Sequence, residues 1–344
     1  VVNQRRNHFM DPLWQFEIAF NLLLQHLGPW LLPPMKLFSF LGREEFYVLI
    51  MPAIYWCWDT RLGLHIGMMT MLSNGFNTIF KLLLHGSRPY WFDASVPAFA
   101  HEPSFGPPSG HAQNAASVWG IFAAKRAQKW VTILAVTMTF LIGLARIYLG
   151  VHYLSDVLLG WLLGAIILLA YLALEKPVTA WLRRLSLAPL CGVCLASSLL
   201  FIGLTGAAQL PLSGWEIPST WVTNAGARFP DAPIDPLNMD GTFTVAGSWL
   251  GMTAGAAWSS RKLGGFSPAG RAGRRILRYL VGLVGILILW YGLGSILPRS
   301  PDLAGYTLRY LRYALIGAWA TVGAPWLFLK TGLAGRTPQE NPVQ

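Results

Sequence analysis

Charge is scarce in this chain. Only 12% of its 344 residues are Asp, Glu, Lys or Arg, whereas 54% are hydrophobic. A soluble protein of this length needs far more charged surface, so the composition argues for a polytopic membrane protein. Cysteine is nearly missing. Cys57, Cys191 and Cys194 all lie in apolar runs, and an odd count excludes a fully paired disulfide framework. Cys191-x-x-Cys194 has no second ligand pair and no nearby histidine, so both thiols read as small packing residues. The fifteen acidic residues form no compact cluster with histidine at ligand spacing, and no metal or other cofactor is expected. The net charge of +11 is no nucleic-acid footprint either, because the basic residues bracket apolar runs instead of interleaving with aromatics. The first dozen residues are polar; they read as loosely held and not as a secretory signal.

What charge there is gathers at the ends of apolar segments, where it is paired or functional. Three pieces carry it: Lys81-LLLHGS-Arg88-Pro89, then Pro108-Ser109-Gly110-His111, then Arg146-IYLGV-His152-YLS-Asp156. Lys81 and Arg88 are about two helical turns apart. A helix ending near His85 aims both cations at one polyanion, and Pro89 forces Arg88 out of the helical conformation. Ser109 and Gly110 precede the apolar run that begins at Ala112. That spacing predicts a helix N-terminus whose free N–H groups face an anion, with Gly110 allowing close approach. His152 and Asp156, four apart, share one helix face. The carboxylate can take the proton-bearing imidazole nitrogen and leave the other as a nucleophile. His8, His26 and His65 are isolated and read as structural, whereas His85 and His101 flank the site without a partner at a telling interval.

In order and in internal spacing, these pieces resemble the signature of the type 2 phosphatidic acid phosphatase (PAP2) superfamily of integral membrane phosphatases. Ala145 stands where that pattern has serine, which removes one hydroxyl donor to phosphate. The resemblance implies that His152 attacks phosphorus to form a phosphohistidine and that Asp156 orients and charge-stabilises it. His111 then protonates the leaving oxygen and later deprotonates water. Lys81, Arg88, Ser109, Gly110 and Arg146 hold the phosphoryl oxygens. Phosphoryl transfer is mostly positioning plus neutralisation of spread charge, which three cations supply without a metal. The implied substrate is a lipid phosphate or lipid diphosphate of the phosphatidate, polyprenyl diphosphate or sphingoid phosphate type. A sugar phosphate handled by the same chemistry, and a catalytically silent lipid-binding or transport relative, are the alternatives.

The expected fold is all-α, a transmembrane bundle of about nine spans with an N-terminal interfacial helix. Glu17, Asn21 and Gln25 recur every four residues within the apolar stretch 13–32, a stripe that suggests a helix lying in the membrane interface with Trp14 and Trp30 as anchors. Spans are expected over 46–58, 62–85, 111–124, 130–149, 153–174, 187–205, 243–259, 276–297 and 311–328. The chain divides into a segment 1–42, a catalytic unit 43–176 and a transmembrane extension 177–344, which in span count resembles sphingosine-phosphate phosphatases and glucose-6-phosphatases. The alternation brings all three pieces to one membrane face. Lys125, Arg126, Lys129, Lys176, Arg183, Arg184 and the run from Arg261 to Arg278 fall on the other. The positive-inside rule then turns the site toward the periplasm, exterior or lumen of a bacterial inner membrane or ER-type membrane. Trp215 and Trp221 read as interfacial anchors.

Overall fold

The computed structural model describes residues 4–337, with side chains from Trp14 onward; part of the polar start expected over 1–12 therefore lies outside the described residues. Among these residues the chain is helical, with no strand beyond an isolated bridge between Phe266 and Arg336. Each of the nine expected segments is helical. By length and composition, four helical stretches suffice to cross a membrane: Lys129–Tyr148, Leu154–Arg184, Leu187–Leu212 and Ala272–Ile296. The others are too short or too polar to meet that measure. Glu44–Cys57 has 14 residues, and Thr60–Leu84 carries His65, Ser73, Asn74, Asn77 and Lys81.

Helical periodicity decides which face of each apolar helix is buried. On Leu154–Arg184, Leu158, Leu162 and Ile166 are exposed, while Asp156, Val157, Gly160 and Gly164 are buried. On Lys129–Tyr148, Trp130, Ile133, Val136 and Phe140 are exposed opposite Val131, Ala135, Ile142 and Ala145. An apolar face left outward while the polar residues turn inward is the arrangement a lipid solvent favours.

Contacts group the chain into two compact units that differ from the contiguous division at 42 and 176. One holds residues 1–43, 76–168 and 207–238; the other holds 44–75, 169–206 and 239–344. The first contains all three sequence pieces. Residues 207–238 belong to it because the helix Ser219–Arg228 packs on the short helix Pro89–Phe92: Asn224 donates to the carbonyl of Trp91, and the Trp221 ring lies 5.8 Å from that of Trp91. Trp215 and Trp221 thus pack on the loops around the motifs and are not simple interfacial anchors.

The N-terminal helix Gln4–Gln25 corrects the reading of its stripe. Glu17 and Asn21 are buried, and Gln25 donates to the carbonyls of Pro97 and Tyr148. The polar stripe faces protein, not water, because the carbonyls and N–H groups at the end of one helix and the start of the next need partners. Phe16 and Leu23 on this helix, and Leu27 and Trp30 just after it, are large hydrophobic side chains left exposed.

In the second unit, the Trp56 indole donates to the carbonyl of Ala320. Arg278, expected to be a surface charge, is fully buried and donates to the carbonyls of Trp56, Ala269 and Leu333. His65 is structural, with Nδ1 2.7 Å from the Tyr171 hydroxyl. The cysteines are free thiols.

Candidate active site

Local structure at each piece follows from its sequence. The helix Thr60–Leu84 ends as expected, with His85 in a left-handed conformation (φ 35°), and Arg88 is extended before Pro89. Lys81, on the last turn, donates to the carbonyls of Phe105 and Gly106. Gly110 opens a helical segment running through Arg126. The backbone N–H of Ser109 donates to the carbonyl of Asp156 (2.9 Å), so the second and third pieces are tied together through the main chain.

Arg88 joins two loops. Its guanidinium donates to the carbonyls of Ser104, Phe105 and Val151, and Nη1 lies 3.1 Å from Nε2 of His152. On the other side of the ring, Nδ1 of His152 is 3.0 Å from Asp156 Oδ2, which also accepts from the Tyr153 N–H. A guanidinium can only donate, so Nε2 is the acceptor and the ring proton sits on Nδ1, donated to Asp156. Burial, reinforced by the positive charges of Arg88, Lys81 and Arg146 and by His111, holds the basicity of His152 well below the ordinary imidazole range. The ring is therefore neutral, with its lone pair on Nε2.

Arg146 is buried; Nη1 donates to Ser39 Oγ (2.7 Å) and Nη2 to the carboxylate of Glu102. Glu102 also lies 3.8 Å from Arg88. Burial opposes its charge, but Arg146, Arg88, His111 and Lys81 prevail and hold its carboxyl well below the usual carboxylate range. Ser109 Oγ, His111 Nε2 and Arg146 Nε are buried with no hydrogen-bond partner among the described residues. Such groups, in the unit that also holds Lys81 and Arg88, match the needs of an oxyanion.

All eight expected residues, Lys81, Arg88, Ser109, Gly110, His111, Arg146, His152 and Asp156, lie in the same compact unit. Ala145 is buried. Sequence reasoning missed Glu102, although it is the only carboxylate between Asp93 and Asp156 and the cations around it need a counter-charge. It also missed Asn21, which donates to the carbonyls of Ile147 (2.7 Å) and His152 (3.1 Å), and Glu17, which accepts from the Ser155 N–H and hydroxyl. Asn77 and Gln113 were not marked either; the Asn77 amide donates to the carbonyl of Pro108 and to Gln113 Oε1. Among the described residues, no group of three His, Cys, Asp or Glu side chains is placed to hold a metal.

Comparison with known proteins addresses the family of the chain. Residues 62–179 match the PAP2 superfamily, and residues 243–336 match the PAP2 superfamily phosphatase transmembrane extension. The chain is 27% identical over 342 residues to glucose-6-phosphatase 3 of Bos taurus, covering 90% of this chain and 93% of that one. It is 32% identical over 158 residues to phosphatidylglycerophosphatase B of Bacillus subtilis (strain 168), covering 40% of this chain and 72% of that one. Among solved structures, a transmembrane PAP2-type phosphatidylglycerolphosphate phosphatase from Bacillus subtilis is 27% identical, with a TM-score of 0.42 over 48% of this chain and 88% of that one. With motifs, apolar helices and family matches in agreement, this chain belongs to the PAP2 superfamily and is an integral membrane phosphatase, a phosphoric monoester hydrolase.

Proposed function

We propose that the protein hydrolyses a lipid phosphate or lipid diphosphate through a phosphohistidine on His152. One observation carries this reading: a neutral imidazole is held between Asp156 and Arg88, with its lone pair turned away from the carboxylate. In the first step, Nε2 forms a bond to phosphorus as the bond to the leaving oxygen breaks, and His111 gives that oxygen its proton. Lys81, Arg88, Ser109, Gly110 and Arg146 bind the phosphoryl oxygens, where charge spreads in the transition state. Asp156 stabilises the positive charge that develops on the ring. In the second step, His111 takes a proton from water, the water oxygen bonds to phosphorus and the N–P bond breaks. Inorganic phosphate leaves and His152 is restored.

The amphiphile is favoured by the aromatic side chains around the motifs. Phe105 packs on Trp215 at 5.6 Å and His85 on Trp215 at 6.4 Å, with Trp91 beneath Arg88 at 5.6 Å. Such walls suit a headgroup that reaches cations while its chains stay apolar. A sugar phosphate is the second reading, supported by the likeness to glucose-6-phosphatase 3 along 90% of the chain. Phosphate release from phosphatidate, a polyprenyl diphosphate, sphingosine phosphate and glucose 6-phosphate separates the two. Turnover of none of these by folded protein overturns both.

We further propose nine crossings with the site facing the periplasm, exterior or lumen, as the basic segments at 125–129, 176–184 and 261–275 favour. Single cysteines placed in the loops 93–104 and 264–271 test this. Labelling of the former from the cytoplasmic side overturns the orientation.

A further inference from the structure

A second cationic cleft lies in the compact unit that does not contain the catalytic motifs. Asp240, at the start of the helix Asp240–Trp258, and Arg309 and Arg312, on the helix Leu303–Ala318, line it together with Arg299 and Ser300 from the loop before that helix. Three guanidinium groups and one carboxylate thus line it. That carboxylate is engaged, with Asp240 Oδ2 3.0 Å from Arg309 Nη1. Arg309 Nε donates to Thr244 Oγ1, and Arg299 donates through Nε and Nη2 to the carbonyl of Gly294; among the described residues no hydrogen bond engages Arg309 Nη2 or Arg299 Nη1. Asp302, the next acidic residue, caps the helix by accepting from the Gly305 N–H.

Arg312 is the telling residue. It is only 6% exposed, and its Nε has no hydrogen-bond partner among the described residues. Its guanidinium lies 5.0 Å from the Tyr313 ring centroid, a contact that orients the group but supplies no countercharge. A buried cation with no carboxylate partner among the described residues is costly, and two further arginines at the same cleft raise that cost. The arrangement is short of one anion with several acceptor oxygens, which is the chemistry of a phosphate group. The surroundings narrow the source. Ile296 and Leu303, on either side of the Arg299 loop, are 77% and 81% exposed. Cations bordered by outward apolar side chains fit a molecule with a phosphate at one end and hydrocarbon beside it.

We infer that the cleft of Arg299, Arg309 and Arg312 binds a phosphate group, that of an anionic phospholipid headgroup, at a site separate in chemistry from the catalytic motifs. The site does not depend on which substrate is hydrolysed. The full chain in detergent, supplied with phosphatidylglycerol and examined by native mass spectrometry, retains the lipid, and Arg312→Gln and Arg299→Gln weaken that retention roughly tenfold or more, as loss of a charge-assisted contact implies. A parallel calorimetric titration with inorganic phosphate distinguishes the sources. Loss of phosphatidylglycerol in the variants identifies the headgroup, whereas loss of a second inorganic-phosphate site alone identifies the free anion. Turnover of a soluble aryl phosphate, unchanged in Arg299→Gln, shows that the protein is folded. The exposed Arg299 keeps the test open if Arg312→Gln does not fold. Wild-type retention of both ligands in a folded variant overturns the site.

Discussion

Arg88 Nη1 donates to Nε2 of His152 across 3.1 Å, and this contact fixes the tautomer independently of Asp156. The proposed attack on phosphorus needs the same lone pair, so in that mechanism Arg88 passes its hydrogen bond to a phosphoryl oxygen as substrate enters. Asp156→Asn therefore leaves the proton on Nδ1, since an amide oxygen still accepts it. In the proposed mechanism the loss is confined to charge stabilisation of the phosphorylated ring. We expect kcat to fall about a hundredfold, less than the roughly 10⁴-fold seen where such a change inverts the tautomer. His152→Ala should lower kcat by more than about 10³-fold, in line with removal of a nucleophile, and abolish any acid-labile phosphoenzyme in rapid-quench experiments. A phosphoenzyme surviving in His152→Ala contradicts the assignment.

The depressed basicity of His152 has two consequences with a definite sign. An unfolded histidine titrates near pH 6.5. As pH falls below that value the unfolded chain takes up a proton that the buried native ring refuses, so stability declines with pH down to the native value. Over the same window the native ring stays neutral, the form the proposed attack requires. The acid limb of kcat/KM due to this group should thus lie below about 6.5, in parallel with a falling melting temperature. An acid limb at or above the ordinary histidine value contradicts the environment described for His152.

In the proposed mechanism Glu102 competes with substrate for Arg146 and Arg88. Its carboxylate accepts from Arg146 and lies 3.8 Å from Arg88, where it offsets charge that a phosphoryl group needs. Glu102→Gln should tighten inhibition by inorganic phosphate several-fold. It should also lower the melting temperature, because Arg146 then loses a buried counter-ion. Measuring the phosphate inhibition constant and thermal unfolding together checks both effects; weaker phosphate binding shows instead that Glu102 is needed to orient Arg146.

The motif residues were legible because their intervals map directly onto helix geometry: two turns from Lys81 to Arg88, one face for His152 and Asp156. Glu102 was not, since residues 93–109 have no regular periodicity from which to place a side chain. Its position follows from charge balance around Arg88 and Arg146, a three-dimensional quantity. The Glu17, Asn21 and Gln25 stripe was visible as a stripe, but a polar helix face serves water and buried backbone equally well. Only the carbonyls of Ile147, Tyr148 and His152 decide between them. The site of Trp215 and Trp221 depends on a contact with Trp91 more than a hundred residues away.

Asn21 then becomes a positioning residue. Its amide holds the carbonyl of His152 itself, and substitution by alanine leaves two buried carbonyls with one partner fewer. Asn21→Ala should lower kcat roughly tenfold with little change in KM for a soluble phosphate ester, because the nucleophile loses its alignment while the cations stay. An equal effect on KM alone places Asn21 in substrate binding.

Gly160 provides the most local test of how the second piece is held. A Cβ added there meets the carbonyl oxygen of Ser109 at 2.6 Å, the Cβ of Ala112 at 3.1 Å and the N–H nitrogen of Gln113 at 3.2 Å. These are largely main-chain atoms, which cannot rotate aside, so Gly160→Ala must displace the Ser109–Gly110–His111 turn from the helix bearing Asp156. The hydrogen bond from the Ser109 N–H to the Asp156 carbonyl lengthens with it. Overpacking of this kind costs about 1–3 kcal/mol. A displacement of even half an ångström moves both His111 and the phosphate-facing backbone, for which a loss of about ten- to a hundredfold in kcat is expected. Gly192, with nothing within 4 Å of an added Cβ, is the matched control in the next apolar helix along the chain. There alanine should be neutral or slightly stabilising. Equal losses in the two variants assign the effect to helix dynamics, whereas a loss confined to Gly160→Ala assigns it to the turn.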